Sequence, residues 1–198
     1  MTYPLLATRM PAPLRRTRED IEGDDRLMAR VGEGDLSALG VLYDRHHQGV
    51  RAFVLRATGG AADADDVTQE AFLTLSRIAD RYDGRSSARP LLLGIAARLI
   101  HRRKRGLARW ARALAGVASL VAPAAPTPED AASASEEMRR FDAALATLSE
   151  DKRITLLLVE REGLTGPEVA RILDVPVNTV WTRLHYARAE LRRALAAL

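Results

Sequence analysis

Apolar residues recur along this chain at intervals of three and four, with very little strict alternation, which predicts helices rather than strands. Between Asp24 and Arg105 one such face opens at Val41, Leu42 and Arg45 and continues through Val50, Phe53, Val54 and Ala57. Stop signals divide this stretch. Gly32 and Gly34 bracket a turn before Asp35, Gly59 and Gly60 end the second helix, and Asp83-Gly84 ends the third. The third helix is expected to begin at Asp63, with Asp65, Asp66 and Glu70 near its positive end. Pro90 suits the first turn of a fourth helix, where its missing N–H leaves no bond unmade.

Beyond Arg105 the pattern changes. A Pro-, Ala- and Ser-rich stretch, Ala122–Ser135, has little to bury, and its prolines favour extended chain. Residues 106–134 read as a flexible linker, within which Leu107–Leu120 could form a transient amphipathic helix carrying Trp110. Helical periodicity resumes at Ser135, with Phe141, Leu145 and Leu148 on one face. Ile154, Leu157, Leu158 and Arg161 belong to the next helix, which stops at Gly163. Thr165-Gly-Pro-Glu168 then offers a capping box. The short helix it starts runs to Leu173, Asp174 and Pro176 form a turn, and a last helix runs from about Val177 towards Leu195.

This final pair has the proportions of a helix-turn-helix. Placing Val180, Leu184, Ala187 and Leu191 inward turns Asn178, Thr179, Trp181, Thr182, Arg183, His185, Tyr186 and Arg188 outward or to the flanks. Arg can grip phosphate or guanine, Asn and Thr can reach base edges or backbone, and Trp and Tyr can contact thymine methyls or sugars. The plainer reading is an amphipathic helix with a solvated polar face. The expected fold class is all-α, with two helical domains at 24–105 and 135–198, a disordered arm at 1–23 and the linker at 106–134.

Composition narrows the chemistry. The 198 residues include 30 Lys and Arg, 26 Asp and Glu, four His and no cysteine. Disulfides, thiolate zinc sites and a cysteine nucleophile are excluded. The histidines (His46, His47, His101, His185) form no motif spacing of metal ligands, so no metal and no cofactor are expected. The N-terminal apolar patch precedes its arginines, the reverse of a secretory signal, and no run approaches the ~20 apolar residues that span a bilayer. A soluble, cytoplasmic protein without membrane insertion is expected. Two charged runs stand out. Arg98 to Arg112 is cationic without an acid, which suits DNA or a solvated face. Asp63-Ala-Asp-Asp-Val-Thr-Gln-Glu70 would repel DNA and suits a protein partner. Those carboxylates lack a nucleophile, a Gly-rich phosphate loop or a metal ligand nearby, so no enzyme is expected.

These residues together resemble the extracytoplasmic-function (ECF) class of bacterial sigma factors, the minimal two-domain members of the sigma-70 family. Gly34-Asp35-Leu-Ser-Ala-Leu-Gly-Val-Leu-Tyr43 opens in the manner of the family's sigma-2 domain. Asp66-Val-Thr-Gln69-Glu70-Ala-Phe72 matches its Asp-x-x-Gln-Glu-x-Phe signature, and Leu145-Ala-Thr-Leu148, Glu168-Val-Ala170 and Val175–Leu191 resemble its sigma-4 domain. The chain departs from the family pattern at Leu91, where a Trp is usual, at Arg98, where Asn is frequent, and at Trp181 and Tyr186, often basic positions.

The resemblance implies a factor that binds core RNA polymerase, recognises the minus-35 and minus-10 promoter elements and promotes melting. It implies that Asp66, Gln69 and Glu70 dock on the beta-prime clamp helices, with a second contact at the beta flap, while Phe72 serves the core. It places the minus-10 element against Tyr82, Arg85, Ser86, Ser87, Arg89, Arg98 and Arg102, and the minus-35 element against Asn178, Thr179, Trp181, Thr182, Arg183, His185, Tyr186 and Arg188. An anti-sigma factor is a further expected partner. Two alternatives stay open: a stand-alone helix-turn-helix regulator whose first module dimerises or senses a ligand, and a helical adaptor that has lost transcriptional competence.

Overall fold

The computed structural model describes residues 22–60, 64–82, 87–113 (backbone only beyond 106) and 136–197. Among these residues there are eight helices and no strand. They are α1 (Asp24–Gly32), α2 (Leu36–Thr58), α3 (Ala64–Ile78), α4 (Ala88–Ala113), α5 (Glu136–Ala146), α6 (Glu150–Leu156), α7 (Gly166–Leu173) and α8 (Val177–Ala197). A 3-10 turn, Ala79–Arg81, extends α3, and a π-helical turn, Leu157–Arg161, extends α6. The expected N-terminal arm, most of the linker, the Asp83-Gly84 stop, Arg85, Ser86 and the Trp110 side chain lie outside the described residues. The α4 backbone stays helical to Ala113, beyond residue 106 where the linker reading begins.

Local chemistry explains the boundaries. Asp35 caps α2, its Oδ1 accepting from the Ser37 amide at 2.8 Å and the Ala38 amide at 3.3 Å, two donors that a helix start leaves unpaired. Its Oδ2 accepts from Arg30 Nε at 2.9 Å, tying the cap to α1. The Ser37 and Arg30 hydrogen bonds hold the Asp35 carboxyl well below the usual carboxylate range. α2 closes at Thr58, where Gly59 takes φ +77°. Its buried stripe is Leu42, His46, Val50, Phe53, Val54 and Ala57. Val41, expected on that face, is exposed, because the 3.6-residue period rotates it to the edge of the stripe.

The first lobe packs α1 to α4 around Leu27, Met28, Phe53, Leu75, Leu92 and Leu93, all nearly inaccessible to solvent. Each such side chain contributes about 1.5–3 kcal/mol relative to exposure. Leu91, at the family's usual Trp position, is half-buried against this core. Asp24 fastens α1 to α2 by accepting from Arg45 and, at 2.8 Å, from His46 Nε2. The second lobe packs α5 to α8 around Leu145, Ile154, Leu158, Val169, Val180 and Leu184. Glu168 Oε2 accepts from the amide and the hydroxyl of Thr165, both at 2.7 Å, so the expected capping box opens α7.

The two lobes share one continuous apolar core. α7 meets α4 at Gly94, where a Cβ would come within 3.3 Å of Ile172 Cγ1. On α2, Arg56 Nε donates to Asp142 Oδ1 of α5 at 3.0 Å. No helix among the described residues is long and apolar enough to cross a membrane.

Candidate nucleic-acid and protein interfaces

The acid-rich start of α3 presents Asp66 and Gln69 to solvent, because its opposite face (Ala64, Val67, Thr68, Ala71, Phe72, Leu75) is committed to the core. Phe72 is thus a core residue, as expected. Glu70 is half-buried and paired with Arg102 and Arg103 of α4. The sequence reading assigns Glu70 and Arg102 to different partners, and the structure brings them into contact.

α8 presents the expected outward set. Val180, Leu184, Ala187 and Leu191 are buried, Asn178, Trp181, Thr182, His185, Tyr186 and Arg188 are exposed, and Thr179 and Arg183 are half-buried. Three details refine this face. The Thr182 hydroxyl donates to the Asn178 carbonyl at 2.9 Å, so it is already occupied within its own helix. Trp181, 48% exposed, lays its six-membered ring over Gly166 at the start of α7. An added Cβ at Gly166 would stand 2.3 Å from Trp181 Cζ2, so the residue serves the helix-turn-helix crossing as well as the surface. Arg183 and Arg188 do not stand free: Arg183 Nη2 donates to Asp151 Oδ2 at 2.7 Å, and Arg188 Nε donates to Glu160 Oε1 at 2.8 Å. Such exposed pairs are worth at most about 1 kcal/mol, so a phosphate can replace the carboxylate.

The residues expected at the minus-10 element divide differently. Arg85 and Ser86 lie outside the described residues, Ser87 is exposed just before α4, and the Tyr82 hydroxyl donates to Asp25 Oδ1 at 2.9 Å. Arg89 and Arg98 face the second lobe. Arg89 Nε and Nη2 donate to Glu162 Oε2 at 3.0 and 2.5 Å, and the Glu162 side chain is only 2% exposed. Arg98 Nε donates to the Ile172 carbonyl at 3.0 Å and Nη2 to the Arg171 carbonyl at 3.2 Å, covering the negative end of α7. The π-helical turn sets this up: the Glu162 amide bonds the Leu157 carbonyl, five residues back, and Glu162 follows directly.

The acids that hold these arginines, Asp151, Glu160 and Glu162, were not legible from the sequence, since they lie 28 to 73 positions from their partners. Burial drives the Arg153 and Arg161 pKa values down. Arg153 donates to the carbonyls of Leu148 and Ala146 at 2.8 and 3.2 Å, stitching the α5–α6 turn. Among the described residues one group of metal-ligating side chains converges: His101 of α4 with Glu150 and Asp151 of α6.

Comparison with known proteins matches both lobes. The Sigma-70 region 2 family matches residues 42–115, and the Sigma-70 region 4 family matches residues 138–198. The ECF RNA polymerase sigma factor SigK of Mycobacterium tuberculosis is 31% identical over 173 residues, covering 86% of this chain and 92% of that protein. RNA polymerase sigma-H factor of Pseudomonas aeruginosa is 30% identical over 187 residues, covering 89% and 96%. Among solved structures, CnrH in complex with the cytosolic domain of CnrY superposes with a TM-score of 0.61 at 26% identity, covering 89% of this chain and 99% of that one. The sigma factor RpoE bound to the anti-sigma factor NepR from Bartonella quintana gives 0.65 at 21% identity, covering 79% and 96%, and shows the fold. Matches running through both lobes do not favour a stand-alone helix-turn-helix regulator. With an acidic helix start in its first lobe and a helix-turn-helix in its second, the chain belongs to the ECF sigma factors of the sigma-70 family.

Proposed function

We propose that this sigma factor binds core RNA polymerase through Asp66, Gln69 and Glu70 on α3 and reads the minus-35 element with the exposed face of α8. The observation that carries this reading is the division of labour between two surfaces: acids and Gln69 at one helix start, and Asn178, Trp181, Tyr186 and Arg188 on another helix. The first matches the beta-prime clamp contact implied by the family. The second offers side chains for base edges, methyls and phosphates in the major groove.

Arg89, Arg98 and Arg102, with Tyr82 and Ser87, would take the minus-10 strand. Melting extrudes a base from the stack at a cost of a few kcal/mol, which contacts in a pocket and cationic side chains along the strand offset. Arg89, held by Glu162, and Arg98, held by the end of α7, cannot grip both the second lobe and DNA. The compact arrangement is therefore the factor before promoter binding, and engagement separates the lobes. The factor acts in the cytoplasm as a non-enzymatic partner of polymerase. An anti-sigma factor is its expected antagonist, since the sigma factor RpoE is solved in complex with the anti-sigma factor NepR and CnrH with the cytosolic domain of CnrY.

Reconstituted transcription tests this. Purified core polymerase with this chain and the DNA upstream of its own operon gives a discrete promoter-specific transcript. Asp66→Ala combined with Gln69→Ala abolishes it together with core binding. A wild-type protein that binds core and yields no specific transcript on any cognate fragment overturns the reading.

A further inference from the structure

His101 on α4 faces the first turn of α6 across the boundary between the lobes. Its Nδ1 lies 3.6 Å from Glu150 Oε1 and 3.5 Å from Asp151 Oδ1, too far for hydrogen bonds. The three ligand atoms all lie within 4.8 Å of one another. Glu150 Oε1 is fully buried and has no hydrogen-bond partner, an expensive condition for a carboxylate oxygen. Two donors sharing a tetrahedral Zn2+ at about 2.0–2.2 Å from the metal stand about 3.3–3.6 Å apart, which is the spacing His101 makes with each acid.

We propose that His101, Glu150 and Asp151 form a binding site for a first-row divalent cation of the Zn2+ type, one that bridges the two lobes and fastens the compact arrangement. One imidazole nitrogen and two carboxylate oxygens suit borderline cations of this row, and the absence of thiols disfavours softer ones.

The surrounding charges fit the role. Arg183 holds Asp151 by Oδ2, leaving Oδ1 for the metal and orienting the carboxylate as an outer-shell partner does. Lys104 Nζ lies 3.6 Å from Glu150 Oε1 on a side chain that is 57% exposed, so it can swing into solvent when the cation takes its place. Because the ligands come from both lobes, the complete set exists only while the lobes are together, and the cation stabilises that state by mass action.

Metal-free full-length protein titrated with Zn2+ in a calorimeter, and with Co2+ followed by its visible absorption, tests the site without reference to transcription. One-to-one saturable binding is expected, with a raised Tm in Zn2+. His101→Ala and the near-isosteric Glu150→Gln each weaken binding by about 100-fold or more and remove the Tm shift. His47→Ala, whose ring stacks on Tyr43 away from the site, leaves both unchanged. Absence of saturable binding overturns the proposal, as does binding that survives in both His101→Ala and Glu150→Gln. Loss of transcription with metal binding intact would instead count against the promoter reading.

Discussion

Trp181 lying over Gly166 makes a single hydrogen atom the difference between a closed and an open helix-turn-helix crossing. Gly166→Ala is expected to push the ring aside and to destabilise the protein by about 1–3 kcal/mol, read as a lower urea midpoint. Adding Trp181→Ala in the same chain recovers much of that loss, and simple additivity of the two changes would refute the contact. Asp24 sets a pH dependence. Burial pushes its carboxyl up, but the hydrogen bonds from His46 and Arg45 outweigh it, so the folded-state pKa lies below 3.8. Its contribution is therefore complete above that value and lost as the pH falls below it. Asp24→Asn should lower stability at neutral pH and flatten this part of the acid titration, followed by circular dichroism.

At the level of helices, the exposed face of α8 was legible because one period accounts for its four buried positions. The α2 cap and the α7 capping box were legible for a similar reason, since a helix start needs an acceptor at a fixed offset. What periodicity could not supply was the company each helix keeps. Arg183 and Arg188 read as free cations in one dimension, whereas α6 and its π-helical turn bring Asp151 and Glu160 alongside. Removing such a partner exposes the arginine to phosphate. Arg188→Ala should flatten the log–log salt dependence of minus-35 binding by about 0.9, while Glu160→Ala should tighten binding at low salt. Fluorescence anisotropy on a labelled duplex over a salt series measures both, and an unchanged slope in Arg188→Ala removes it from the phosphate contacts.

For the whole molecule, the order of the two lobes follows from the Pro-rich interval between two helical patterns, and so was readable without coordinates. Their docking was not, because the residues that make it, Gly94, Arg98, Glu162 and Ile172, each have an ordinary local explanation. Glu162 is the point to test. Glu162→Gln removes the charge that Arg89 grips and should loosen the lobes, raising the radius of gyration in small-angle scattering and increasing affinity for a promoter fragment. An unchanged radius would mean that the remaining contacts, Arg98 with the α7 carbonyls, Arg56 with Asp142 and the apolar packing at Gly94, hold the lobes without that charge. The grip of Arg98 on the α7 carbonyls has a consequence for promoter choice. If every promoter must first meet a molecule in which these arginines are released, all apparent affinities fall by one common factor, the fraction of molecules already open. Ratios between promoters are untouched. On the proposed function, the latch would therefore set how much transcription the factor supports and leave the ranking of promoters to their own contacts with both lobes.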